Sequence, residues 1–173
     1  SASLVGSEMC IRDRYEGPVY LRFGRLAVPR FNDPDTYKFE IGKGIELAEG
    51  SDVTIVATGL MVNEAMIAKD MLKEEGISAR VINIHTIKPI DKDIILKAAE
   101  ETGAIVTAEE HSIIGGLGSA VTEVVCEGKP VPVVRVGVED KFGGSGPAVE
   151  MLKIYGLCAS NIVEKAKKAI SMK

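Results

Sequence analysis

Val53-Thr54-Ile55-Val56-Ala57-Thr58, the segment from Met61 to Gly76, and Ala79-Arg80-Val81-Ile82-Asn83-Ile84 form the stretch on which the fold turns. The first run is short, β-branched and almost wholly apolar, the mark of a strand covered on both faces. After it, Met61, Ala65, Ala68 and Leu72 recur at helical spacing, with Asn63, Glu64, Lys69, Asp70 and Lys73 among the polar positions. Gly76 suits the place just beyond that helix. A buried strand, an amphipathic helix and a second buried strand make a βαβ unit.

Outward from this unit the cadence repeats. Asp91 opens a helix with Ile94, Ile95, Ala98 and Ala99 inward, and Gly103 closes it. Ala104 to Ala108 is the next strand. After Gly115-Gly116-Leu117-Gly118 a helix buries Ala120, Val121, Val124 and Val125 and stops at Gly128. The strand Val131 to Val136 contains Pro132, so it begins late or lies at an edge. A last helix from near Ser160 turns Ile162, Val163, Ala166, Ala169 and Ile170 to one side. On the amino-terminal side, Phe39 to Leu47 reads as two short strands broken around Gly42-Lys43-Gly44, a hairpin or edge ribbon. Right-handed crossovers place helices on both faces of such a sheet. The expected fold is therefore α/β, a three-layer αβα sandwich around a mostly parallel sheet of about five strands.

The 173 residues, 46% hydrophobic and 27% charged, suffice for one well-buried domain. No stretch approaches the roughly 18 consecutive apolar residues of a membrane span, and no basic-then-apolar leader opens the chain. The expectation is a soluble, cytoplasmic protein with no membrane partner. A net charge of −4 offers no basic footprint for nucleic acid. Cys10, Cys126 and Cys158 lack CxxC spacing, and His85 and His111 are the only histidines, so neither a disulfide framework nor a metal cluster is expected.

The first residues read differently from the rest. Ser1 to Arg14, SASLVGSEMCIRDR, carries no sustained periodicity and resembles a translated sequencing-adapter read-through, so residues 1–14 are read as a non-native leader. Gly17-Pro18 is a turn signal, and Val19-Tyr20-Leu21-Arg22-Phe23 alternates as a strand does. Leu26 to Thr36, with Pro29 and Pro34, holds neither strand nor helix and reads as a linker. The chain thus divides into a leader (1–14), the end of a preceding domain with its linker (15–36) and one whole domain (37–173).

Ligands of open α/β sheets collect outside the carboxyl ends of the strands. There lie Thr58-Gly59, His85-Thr86, Glu109-Glu110-His111 and the loop from Glu139 to Gly146. Each histidine reads more simply as a hydrogen-bonded structural or interface residue than as a catalyst. Gly115-Gly116-Leu117-Gly118 opens a helix and has the means to cradle a phosphate, yet it matches neither G-x-G-x-x-G nor the P-loop, and tight helix-to-sheet packing is the simpler reading. Phe142-Gly143-Gly144-Ser145-Gly146-Pro147 reads as a flexible connection or interface turn. Arg22 and Arg25 bracket the end of the first strand, where a guanidinium fork suits a phosphate but a solvated surface arginine is simpler. Lys165, Lys167, Lys168 and Lys173 read as the solvated face and last turn of the final helix, favourable to its dipole.

Taken in order, Ile84-His85-Thr86-Ile87-Lys88-Pro89-Ile90-Asp91, Val106-Thr107-Ala108-Glu109-Glu110-His111 and Ile114-Gly115-Gly116-Leu117-Gly118 resemble the C-terminal domain of transketolases. Gly17 to Pro29, GPVYLRFGRLAVP, is similar to the end of that family's pyrimidine-binding domain, and Ile41 to Gly44 (IGKG) and Lys141 to Gly146 (KFGGSG) strengthen the match. The resemblance runs from Tyr15 to Lys173 and is greatest to the separate C-terminal subunit of split transketolases. It implies transfer of a two-carbon ketol unit between sugar phosphates in the pentose phosphate pathway, with thiamine diphosphate and Mg2+ in the complete enzyme. In that family the cofactor's carboxylate partner and its diphosphate–metal site lie in the other domains. The implied chain therefore binds no cofactor or metal alone, holds no catalytic residue, is inactive in isolation and serves mainly assembly. Its partners are an N-terminal transketolase subunit or domain, in a homodimer or heterotetramer. Arg25 stands where the family places an arginine that contacts the sugar-phosphate group, which makes it the one substrate-binding residue assigned. The C-terminal domains of 1-deoxy-xylulose-5-phosphate synthase and of 2-oxo acid dehydrogenase β subunits, and a purely non-catalytic assembly module, are the alternatives. His111 after Glu109-Glu110, together with FGGSG, favours transketolase over both enzymes.

Overall fold

The three-dimensional structure is a computed structural model, and it describes residues 14–24, 27–29, 31 and 37–173. Its centre is the strand read first. Strand β2 (Val53–Ala57) is buried along its whole length, because a parallel strand flanked on both sides and covered on both faces meets no water. Around it stand β1 (Ile45–Ala48), β3 (Ala79–Asn83), β4 (Ile105–Ser112) and β5 (Val133–Val138), in the sheet order β1-β3-β2-β4-β5. All pairings are parallel except that of β1 with β3.

Strand alternation divides the core into two layers. Val53, Ile55 and Ala57 of β2, Val81 of β3 and Val106 of β4 face α1 (Met61–Glu74) and α5 (Ala159–Ile170), which contribute Met61, Ala65, Leu72, Ile162 and Ala166. Val56, Ile82 and Ile105 face the other way, onto α2 (Lys92–Thr102) and α3 (Leu117–Glu127) through Ile95, Ala98, Val121 and Val125. Burying each large aliphatic side chain contributes roughly 1.5–3 kcal/mol. The fold class follows as a three-layer αβα sandwich with a five-stranded, mostly parallel sheet.

Helix ends stand where their residues dictate. Asp91 caps α2 by accepting from the Ile94 N–H at 3.4 Å, and Gly103 closes it with φ near 67°, a left-handed turn that side chains resist. Pro132 precedes β5, which starts one residue later and lies at the sheet edge. No helix among the described residues is long and apolar enough to cross a membrane.

Two strand expectations need correction. Phe39 to Leu47 is not a hairpin: only Ile45–Ala48 is a strand, and it pairs with β3 rather than with its own neighbour. Gly44 packs closely at this point: a Cβ on it would fall 2.7 Å from Ile84 Cδ1. Val19 to Phe23 forms no strand. A strand exists only through ladder partners, and both edges of the sheet lack this segment; Val19, Tyr20 and Phe23 stand exposed, Tyr20 most of all. The structure also adds α4 (Ala148–Ile154), a helix with no buried residue.

The topology marks one place for a ligand. From β2 the chain passes through α1 to β3, then recrosses through α2 to β4 on the other side of β2. Connections thus leave the carboxyl ends of β2 and β4 in opposite directions, the point where such sheets open a crevice.

Candidate functional site

β4 carries the chemistry of this edge. Ile105, Thr107 and Glu109 alternate onto one face of the strand, toward α3. Glu109 is 1% exposed. Its Oε2 accepts the Leu117 N–H at 2.7 Å and its Oε1 accepts the Gly118 N–H at 2.8 Å. The first N–H groups of a helix have no partner within it and carry the positive end of its dipole, so this carboxylate completes the amino terminus of α3. A Cβ on Gly116 would lie 1.9 Å from Oε2, so a side chain there would displace the carboxylate. The glycine run does build an anion site, and the anion in it is the chain's own.

Beyond Glu109 the strand turns outward. Glu110 offers its carbonyl to both terminal nitrogens of Arg22, each at 3.1 Å, which moors the segment 14–24 to this edge. His111 is exposed, with Nδ1 3.0 Å from the Ser112 carbonyl oxygen. His85, at the end of β3, is half-buried, with Nδ1 2.9 Å from Thr86 Oγ1 and its ring 4.4 Å from that of Phe39. Burial holds its pKa below the ordinary 6.5. Both histidines make contacts with the residue that follows them.

The other motifs are also tied down from within. Asp91, at the end of the Ile84–Asp91 motif, accepts the Gly44 N–H at 2.9 Å and so joins that motif to Ile41–Gly44. In the loop after β5, Tyr155 accepts the Gly144 N–H at 2.5 Å and donates to the Phe142 carbonyl at 3.3 Å. That contact makes the loop more fastened than a free connection. Lys141 donates to Glu139 at 3.0 Å, and this hydrogen bond and charge hold the Glu139 carboxyl below its usual range.

Arg25, the residue assigned to a substrate phosphate, lies outside the described residues. Its neighbours Arg22 and Gly24 are described, and Arg22 is occupied by Glu110. Sequence reading placed Glu109 at the ligand edge but not its carboxylate at the start of α3, although the signal was present: Glu109 continues the inward alternation of Ile105 and Thr107. It also missed Arg80, 7% exposed at the amino end of β3, which borders a hollow of about 460 Å3 with Glu46, Ser51, Ser78, Lys97 and Glu101.

Known proteins like this chain share its domain, and among them a 1-deoxy-D-xylulose-5-phosphate synthase of Heliobacterium modesticaldum is 44% identical over 156 residues, 89% of this chain and 24% of the relative. Residues 42–162 match the protein family described as transketolase, C-terminal domain. A 6-deoxy-6-sulfo-D-fructose transketolase subunit of Clostridium sp. (strain MSTE9) is 46% identical over 159 residues, 92% of this chain and 49% of the relative. A putative transketolase C-terminal section of Methanocaldococcus jannaschii is 48% identical over 160 residues, 89% of this chain and 50% of the relative. Among solved structures, a split-gene transketolase in the form of an inactive β4 tetramer is 50% identical and superposes with a TM-score of 0.92 over 96% of this chain and 55% of its own. The chain thus spans about half the length of the curated relatives it matches.

Proposed function

Because the chain belongs to the transketolase C-terminal domain family, we propose that it is the C-terminal part of a split-type transketolase, working with an N-terminal section to move a two-carbon ketol unit between sugar phosphates. The likeness to split transketolase subunits along nearly the whole chain carries this reading. Family membership implies thiamine diphosphate in the complete enzyme. The described residues do not fit that group or its metal. No cluster of three or more His, Cys, Asp or Glu among them is arranged to hold a metal ion, and the one glycine-rich helix start of the resemblance is filled by Glu109. We read cofactor chemistry as lying in the other domains of the complete enzyme, as family membership implies.

What this chain supplies is assembly and one substrate contact. Tyr20, Phe23, Ile114, Phe142, Val149 and Ile154 are large, apolar and exposed, and so are available to a partner. The partner proposed is the N-terminal section, in a homodimeric or heterotetrameric cytoplasmic enzyme. Residues 15–36 are read as the end of a pyrimidine-binding domain and its linker, and 37–173 as the C-terminal domain. Arg25 is the residue proposed to hold the substrate phosphate.

The test is reconstitution. The chain, expressed with the upstream half that its relatives possess and mixed with an N-terminal section, thiamine diphosphate and Mg2+, should transfer ketol units between sugar phosphates. Arg25→Ala should raise KM for phosphorylated substrates by about tenfold or more, the worth of a charge-assisted phosphate contact. An unchanged KM would remove the Arg25 assignment, and condensation of pyruvate with an aldose phosphate in place of ketol transfer would replace the reading with a synthase.

A further inference from the structure

Strand β4 breaks its ladder where the preceding segment meets it. Its last position opposite β2 is Ala108, and opposite β5 the pairing jumps from Ala108 to Ser112, so the carbonyl of Glu110 falls in a bulge. A backbone acceptor there takes its partner from outside the sheet. Arg22 supplies it: both terminal nitrogens of its guanidinium donate to that one oxygen, each at 3.1 Å, across 88 positions of chain. The acceptor is held on both sides. Before it, the Glu109 carboxylate is tied to the first N–H groups of α3. After it, Ile113 donates its N–H to the Val138 carbonyl at 3.0 Å and offers its own carbonyl to Arg135 at 2.9 Å. Arg22 is thus fastened to a point that the hydrogen bonds of the sheet and α3 fix, and Leu21 beside it is half-buried.

From this arrangement we infer that Arg22 is a positioning residue for the substrate-phosphate contact. The inference rests on the reading of Arg25 as the residue that holds the substrate phosphate. Arg25 follows Arg22 by three positions, and three steps of chain span at most about 11 Å. Pinning Arg22 therefore limits the space open to Arg25, and part of the ordering that a phosphate would otherwise have to impose is already done. The contact calls for arginine, because a planar fork presents two donors to one oxygen, whereas lysine brings a single point charge. Arg22 acts through Arg25 and touches no substrate. Its loss should weaken the hold on phosphorylated substrates without slowing the transfer itself.

Kinetics of the reconstituted enzyme test this, with ribose 5-phosphate and ribose compared as acceptors. Arg22→Gln should raise KM for ribose 5-phosphate by about threefold to tenfold, the equivalent of one hydrogen-bonded contact, while KM for ribose and kcat stay within about twofold. Arg22→Lys should recover part of the loss. No change for either acceptor, or equal changes for both, would overturn the positioning role. A second measurement reads the clasp without activity. In this chain, chymotrypsin should cut after Tyr20 and Phe23 about threefold faster or more in Arg22→Gln than in the parent, each rate taken relative to that of the same protein unfolded in urea. Equal relative rates would overturn the clasp. Absence of ketol transfer in the parent enzyme would strike the reading of the function instead, and a clasp found by proteolysis in such a protein would leave Arg22 a structural tie and overturn its role toward substrate.

Discussion

At the carboxyl end of β4 the Glu109 carboxylate accepts one backbone N–H at each oxygen, while at the amino end of β3 the Arg80 guanidinium is served less completely. Arg80 Nη2 meets Glu101 Oε2 at 2.5 Å, and Nε stands 3.8 Å from Glu46 Oε2. Its Nε and Nη1 are buried with no hydrogen-bond partner among the described residues. The partners differ in kind. Those of Glu109 are main-chain groups that the helix holds in place, whereas Glu101 is a side chain 43% exposed that water can serve in Arg80's absence. Removing a buried group costs most when it strands other buried polar atoms. The two ends of the sheet should therefore respond differently to the loss of their charges.

The largest effect is expected at the carboxyl end. Glu109→Ala strands two N–H groups and should lower unfolding free energy by about 3 kcal/mol in urea denaturation; a loss below about 1 kcal/mol would erase the contrast. A smaller change is expected at the amino end. Arg80→Met keeps the aliphatic stem, removes the two stranded nitrogens and releases Glu101 to water, so stability should stay within about 1 kcal/mol of the parent. A drop of about 3 kcal/mol or more would mean that Arg80 is as tightly integrated as Glu109.

The smallest effect concerns His85, where burial disfavours the charged ring. Its folded pKa lies below the ordinary 6.5, so between the two values the unfolded chain binds more protons and stability rises with pH. That contribution is present above pH 6.5 and is lost as pH falls toward the folded pKa. Melts taken from pH 7 down to the onset of carboxylate protonation should show a decline that is shallower in His85→Gln. Parallel curves for the two proteins would show that the ring titrates as it does in the unfolded chain.

Much of the fold was legible because its strands are buried on both faces. Val53–Ala57 and Ala79–Asn83 announce themselves by composition, and Asp91, Gly103 and Pro132 mark boundaries by chemistry that acts locally. Val19 to Phe23 misled because alternation reports a half-buried strand without naming its ladder partner. Ala148–Ile154 was missed because a seven-residue helix gives too short a pattern: only Ala148, Met151 and Leu152 are half-buried, and no residue is fully buried. The glycine run of α3 was legible as an anion site in its backbone, but helix N-termini look alike in sequence whether the anion arrives from solvent or from the preceding strand. The inward alternation of Glu109 was the available clue. Arg25, whose role rests on family likeness, lies outside the described residues and draws no support from geometry.

Isothermal titration of thiamine diphosphate and Mg2+ tests most directly the central proposal, that the cofactor is held by the other domains of the enzyme and not by this chain. The account predicts no saturable heat with this chain alone, and saturable binding once an N-terminal section is added to the chain joined to the upstream half that its relatives possess. Micromolar binding to this chain alone would contradict it.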